Sequence, residues 1–189
     1  PAPDQAIALP ERLPVTAFRD YLQCPYRFYL RHVLAVQSVA APQPELDAPL
    51  FGVLAHEVLQ RFAQGPLQAS RDAATISRWL LRELEALARR QLGTELPPAV
   101  QVQLHQLARR LDRFAAWQAQ QAEQGWRIEN EWTERRAEAE LDLEGGRRVT
   151  VVGRIDRVDV HPRFGVRVID YKTGDSPLKP KQVHLRGGR

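Results

Sequence analysis

The hydrophobic period of this chain changes once, near Gly125, and that change limits the folds open to it. Upstream, apolar residues recur at helical spacing. Thr16 reads as the N-cap of a helix bearing Phe18, Tyr21, Leu22, Tyr26, Phe28, Tyr29, Leu30 and Val33, which Pro25 should kink or split after Cys24. Three prolines between Ala40 and Pro49 mark a loop. Further helices are predicted over about 50–64, 70–92 and 97–124, stopped by Gly65-Pro66, Gly93 and Gly125. Downstream, Trp126–Leu143 alternates imperfectly, Glu144-Gly145-Gly146 signals a turn, and Arg147–Val160 and Val166–Lys172 are rich in β-branched residues. Three strands with short connections predict an antiparallel meander, which needs a covering layer to be stable. The expected fold is therefore α+β, with the helical N-terminal half packed on a three-stranded sheet. We expect one domain over 1–189: a lead-in at 1–13, a mainly helical part at 14–125, the meander at 126–174 and an incomplete tail at 175–189.

Composition narrows the class. With 189 residues, 43% hydrophobic content and a net charge of +4, the chain can bury a core and does not read as disordered. No run approaches the ~18 apolar residues of a membrane span, and no secretory leader opens the sequence. A single cysteine fits a reducing compartment, so a cytoplasmic location is expected. The start at Pro1 and the absence of methionine suggest a piece of a longer polypeptide. Of 27 Lys+Arg, only Lys172, Lys179 and Lys181 are lysine, all close to the C-terminus. Lysine offers a compact, tunable charge that arginine does not.

The chemistry-bearing residues lie in Val152-Gly-Arg-Ile-Asp156-Arg-Val-Asp159 and Val168-Ile-Asp170-Tyr171-Lys172-Thr-Gly174. Strand alternation puts Asp156 in line with Val152 and Val158, and Asp170 and Lys172 in line with Val166 and Val168. A carboxylate among apolar neighbours needs compensation, from a metal, a lysine or a hydrogen-bond network. In a meander the two aspartates can share a divalent cation, and oxygen ligands suit Mg²⁺ or Mn²⁺. Lys172 then points at the same spot, able to stabilise charge at phosphorus or to orient and deprotonate water. The alternative is an Asp–Lys ion pair on a solvated sheet face. Arg157 and Asp159, on one strand and one face, read as a structural pair.

Gly153-Arg-Ile-Asp156-Arg-Val-Asp159 with Asp170-Tyr-Lys172-Thr-Gly174 resembles motifs II and III of the PD-(D/E)XK nucleases, in their RecB-like exonuclease branch. Thr16-Ala-Phe-Arg-Asp-Tyr-Leu-Gln-Cys-Pro25 resembles the "Cys-Pro" helix of those proteins, and Phe51-Gly-Val-Leu-Ala-His56-Glu-Val-Leu59 their motif I helix. The nearest resemblance is to the C-terminal nuclease domain of AddB-type helicase–nuclease subunits. It implies a restriction-endonuclease-like core, with Lys172, Asp156 and Asp170 catalytic. His56, Asp156, Asp170 and the Tyr171 backbone carbonyl would ligate Mg²⁺ or Mn²⁺, and Glu131 falls where some relatives carry an acidic residue. His32, His105, His161 and His184 receive no metal role. The family's Gln-x-x-x-Tyr signature is not matched, because Arg186 follows Gln182, so the end of the fold is expected to lie in sequence beyond Arg189. Some relatives hold a [4Fe-4S] cluster; Cys24 matches its first ligand, the others would have to come from a longer chain, and here the cysteine is expected to be either a buried free thiol or an orphan ligand.

A pI near 9.6 with arginine dominant suits a binder of phosphate backbones. Arg154, Lys179 and Lys181 lie beside the candidate site and are the expected DNA contacts, whereas Arg89-Arg90 and Arg109-Arg110 read as solvated helix faces. Trp79, Trp117, Trp126 and Trp132 are expected to pack rather than stack on bases. The implied function is metal-dependent hydrolysis of DNA phosphodiesters, exonuclease in type, in end processing and recombinational repair at the bacterial nucleoid. Its partners would be DNA and a helicase subunit or helicase-like region. Two other readings are a catalytically inactive scaffold of the same fold that binds DNA or docks a helicase subunit, and a generic α+β interaction domain.

Overall fold

The structure, a computed structural model, describes residues 10–36 and 48–172. Their order is β1 (Arg12–Pro14), α1 (Thr16–Gln23), α2 (Pro25–Phe28), a π-helical turn (Tyr29–Val33), α3 (Ala48–Gln64), α4 (Ala73–Leu92) and α5 (Pro98–Glu123). Then come β2 (Arg127–Ile128), a 3₁₀ turn (Asn130–Trp132), β3 (Arg135–Leu143), β4 (Arg147–Ile155), β5 (Arg157–His161) and β6 (Gly165–Ile169). The α+β class and the four helical regions agree with the sequence reading. Pro25 separates α1 from α2 at Cys24, as a residue without an N–H must. Thr16 opens α1 as its first residue rather than capping it, and Val15 holds the cap position. The described residues form two compact units, one of 10–36 and 136–154 and the other of 48–135 and 155–172.

The strand layout differs from the expected meander. Two three-stranded sheets form, in the orders β1-β4-β3 and β2-β5-β6. The predicted strand 147–160 is cut at Asp156. There the Asp156 carbonyl accepts the Glu134 N–H at 3.0 Å, and its carboxylate accepts the Tyr171 N–H at 2.6 Å. Both groups serve segments outside the ladder, so β4 and β5 join different sheets. Trp126–Leu143 breaks likewise into β2, the 3₁₀ turn and β3.

In the first unit β1 runs parallel to β4, pairing Arg12 to Thr150 and Pro14 to Val152. Leu13, Ala17 and Val149 make its small core, with Phe28 and Leu143 against them. Cys24, in extended backbone at the α1–α2 break, is free but exposed, contrary to the buried thiol that was one of the two expectations. Asp20 is the buried charge of this unit. Its carboxylate meets His32 Nε2 at 3.0 Å, Arg31 at 3.4 Å and Arg27 at 3.5 Å. The His32 hydrogen bond, and then the arginines, hold the Asp20 carboxyl below its ordinary value despite burial. A depressed carboxyl stabilises the fold above its unfolded pKa and stops doing so as pH falls through its folded pKa. Asp20→Asn should therefore lower the urea midpoint at pH 7, and the gap to wild type should narrow as pH falls below the ordinary aspartate value and through the folded-state pKa. A gap that persists in acid would assign the loss to packing instead.

In the second unit α3, α4 and α5 meet on one apolar seam, with Leu54, Val58, Phe62, Ile76, Leu80, Leu87 and Leu107 almost wholly buried. Asp72 caps α4 by accepting the Ala74 N–H at 3.0 Å. Gly125 ends the helical run at φ +96°, and a Cβ there would lie 3.1 Å from His161 Nε2. The β5 strand pairs antiparallel with β2 and with β6. Arg157 and Asp159 lie side by side on β5, 1% and 0% exposed, and make the two-pronged pair expected of them. Arg167 on β6 donates to the same carboxylate and lies 3.9 Å from the Trp126 ring centroid. Trp79 packs on Phe62 and Trp117 beneath both arginines. Trp132 is the more exposed of the four tryptophans, under Arg135.

Candidate metal centre

Three segments of the second unit converge on one point. The α3 stripe of Leu54, Val58 and Phe62 faces the core, which sets His56 at the flank of the helix, partly buried. Asp156 sits at the break between β4 and β5, and Glu134 follows the 3₁₀ turn. His56 Nδ1 lies 2.9 Å from Glu134 Oε1 and 3.7 Å from Asp156 Oδ1. Their ligating atoms all fall within 4.8 Å of one another, and this is the one such His/Cys/Asp/Glu group among the described residues. Donors around a single ion at about 2.0–2.2 Å stand roughly 3–4.4 Å apart, so the set fits a divalent cation.

Backbone geometry points to the same place. Glu134 has φ +53°, a left-handed conformation that a non-glycine residue adopts at a cost of about 1–2 kcal/mol. The bond from its N–H to the Asp156 carbonyl holds it there and ties two ligand-bearing segments together. Burial raises the Asp156 carboxyl above its ordinary value; the Tyr171 N–H and His56 oppose this, while the negative charges of Asp170 and Glu134 add to it. A buried carboxyl with two like-charged neighbours is an electrostatic cost that a bound cation would remove.

Of the residues singled out from sequence, His56 and Asp156 come together here, and the Tyr171 N–H is bonded to Asp156. Asp170, expected as a ligand, and Lys172 stand outside this group, 59% and 70% exposed, in a 2.6 Å ion pair. The apolar flanks expected to bury Asp170 do not, because β6 is a sheet edge whose Val166 and Val168 face outward at 68% and 65% exposure. Asp170 still acts on Asp156 through its charge. Glu131 is exposed on the 3₁₀ turn and stands outside the cluster. Glu134, three residues on, occupies the acidic position, and no sequence signal separates the two. Arg154 is exposed in the first unit, where it lines a depression of about 590 Å³ with Arg12 and Arg136. Lys179, Lys181, Gln182 and His184 lie outside the described residues. His32 and His161 are engaged by Asp20 and by the Gln124 carbonyl.

Tyr171 is the keystone beside the ligands. Its ring meets His56 at 5.8 Å and Phe114 at 6.1 Å, and its hydroxyl accepts from Arg157 at 3.4 Å. Burial raises the Tyr171 hydroxyl pKa, and Arg157 counters only part of that.

The PD-(D/E)XK nuclease superfamily profile matches residues 12–188, and the chain belongs to that superfamily. It is 27% identical to one of the subunits of the ATP-dependent helicase/deoxyribonuclease of Moorella thermoacetica, over 93% of its own length and 16% of that protein. The corresponding subunit from Clostridium acetobutylicum is 22% identical over 92% of the chain and 16% of that protein. An uncharacterized protein of Rickettsia conorii is 25% identical over 94% of the chain. The chain thus spans about a sixth of the two helicase/deoxyribonuclease proteins it matches. No helix among the described residues is long and apolar enough to cross a membrane.

Proposed function

We propose that this chain is a divalent-metal-dependent deoxyribonuclease domain, hydrolysing DNA phosphodiesters in end processing alongside a helicase. The convergence of His56, Glu134 and Asp156 carries the reading. Together these side chains would hold Mg²⁺ or Mn²⁺, with the Tyr171 carbonyl as a further oxygen. Bound there, the cation would supply positive charge beside a phosphodiester and would make water acidic enough to act as nucleophile near neutral pH. Asp170 adds a nearby carboxylate and anchors the Lys172 ammonium, which stabilises charge building on the phosphate oxygens or guides the proton leaving the water. The His56 ring is kept in register by the Tyr171 ring. An iron–sulfur cluster is not part of this proposal, since the chain's single cysteine offers one sulfur ligand.

Linear DNA incubated with the chain and Mg²⁺ or Mn²⁺ should be degraded, and EDTA should stop it. Asp170→Ala should lose most of that activity. Undiminished degradation by Asp170→Ala would remove Asp170 from the mechanism, and no degradation by wild type with a saturating metal would favour the inactive scaffold.

A further inference from the structure

The middle of α5 carries a basic furrow that helical periodicity alone would assign to a solvated face. Gln106, Arg109, Arg110 and Arg113 recur at i, i+3, i+4 and i+7 and together line a depression of about 370 Å³. Arg109 and Arg113 are exposed and, among the described residues, form no ion pair. Arg110 is half-buried, its guanidinium 5.4 Å from the centroid of the Phe51 ring, which limits its wandering. Among the described residues no acidic side chain lines the furrow, although glutamates flank arginines on α3 and α4.

Its position matters as much as its charge. Phe114, one turn beyond Arg110 on α5, touches the Tyr171 ring, and Tyr171 touches His56 and bonds Asp156. Phe51, under Arg110, lies on α3, the helix that carries His56. The furrow therefore ends about one helical turn from the aromatic residue beside the candidate metal centre. Gln106 to Arg113 spans about 10 Å along the axis at about 1.5 Å per residue. That length matches roughly three phosphates of one DNA strand.

We propose that Arg109, Arg110 and Arg113 of α5 form a track for the sugar–phosphate backbone of a DNA strand, leading it to the His56–Glu134–Asp156 centre. The inference rests on the nuclease reading for its destination, but the track binds whether or not the strand is cut. Guanidinium groups on phosphates position the strand without reading bases.

Fluorescence anisotropy of a labelled DNA of about 20 nucleotides, single-stranded in one arm and duplex in the other, tests this in EDTA so that nothing is cleaved. Removing two phosphate contacts in Arg109→Ala/Arg113→Ala should flatten the plot of log K against log salt by about 1.4 for single strands. Between about 50 and 200 mM salt the wild type should then lose about sevenfold more affinity than the variant. Arg89→Ala/Arg90→Ala, which removes the same charge from the end of α4, should leave the slope within a few tenths. An unchanged slope in the α5 variant on both DNAs, an equal drop in both variants, or no DNA binding by wild type would each overturn the track. Wild-type binding through α5 without cleavage in Mg²⁺ or Mn²⁺ would sink the nuclease reading alone. Cleavage with an unaltered α5 slope would sink the track alone.

Discussion

Asp156→Asn should reduce metal-dependent DNA cleavage by on the order of 10³-fold or more while leaving the protein folded. The amide keeps the size of the carboxylate and can still accept the Tyr171 N–H, which lies 2.6 Å from the native oxygen. What it loses is the charge that would bind the cation between His56 and Glu134, and loss of one charge-stabilising group at a reacting centre costs about 10²–10³ by itself. Losing the metal as well takes the effect further. The stability change should have the opposite sign. Burial and the neighbouring Glu134 and Asp170 disfavour the Asp156 carboxylate, so the neutral amide should raise the urea midpoint of the metal-free chain. Mn²⁺ should raise the wild-type midpoint and leave that of the variant where it is. Parallel cleavage assays and urea titrations check both halves. A variant that cuts normally, or that is both inactive and unfolded, would remove Asp156 from the role assigned to it.

Asp159→Ala should be the most destabilising of the substitutions named, at about 3–5 kcal/mol. Arg157 is 1% exposed and its guanidinium rests on Asp159, at 2.9 Å from Nη2 to Oδ2; Arg167 shares the same carboxylate. Removing the acid strands one buried cation and loosens a second that is partly exposed. For a chain of this length that corresponds to a fall in Tm of roughly 6–20 °C. Because Arg157 also donates to the Tyr171 hydroxyl, surviving folded protein should cut DNA more slowly. Replacing both members, as Arg157→Met/Asp159→Leu, should recover a large part of the stability, since an apolar pair leaves no fully buried charge uncompensated and Arg167, 27% exposed, keeps its bond to Gln121. If the single and double variants unfold at the same denaturant concentration, the pair is not what holds β5.

Much of this is legible along the chain. Helix limits at Gly65, Gly93 and Gly125 and the split at Pro25 follow from what glycine and proline do to the backbone, wherever they occur. His56 can be set off the buried stripe of α3 because helical periodicity assigns faces without knowing the neighbours. Arg157 and Asp159 can be paired because residues two apart on a strand share a side. Asp170 escapes sequence reasoning for a related cause: alternation says that Val166 and Val168 share its face, but not whether that face meets a core or water.

What local sequence determined about this protein is its period: where helices run, where strands begin, and which residue types recur near one another. Only the tertiary structure decided that the strand expected over 147–160 divides at Asp156, since that break depends on Glu134 and Tyr171, which lie 22 and 15 positions away and take its hydrogen bonds. It also chose Glu134 over Glu131 as the acidic partner of His56. Two glutamates three residues apart look alike in sequence, and their separation comes from a 3₁₀ turn and one left-handed φ, both set by contacts distant along the chain. Periodicity is a property of neighbours in sequence, whereas a metal centre is assembled by closure of long loops, and its geometry exists only once they have closed.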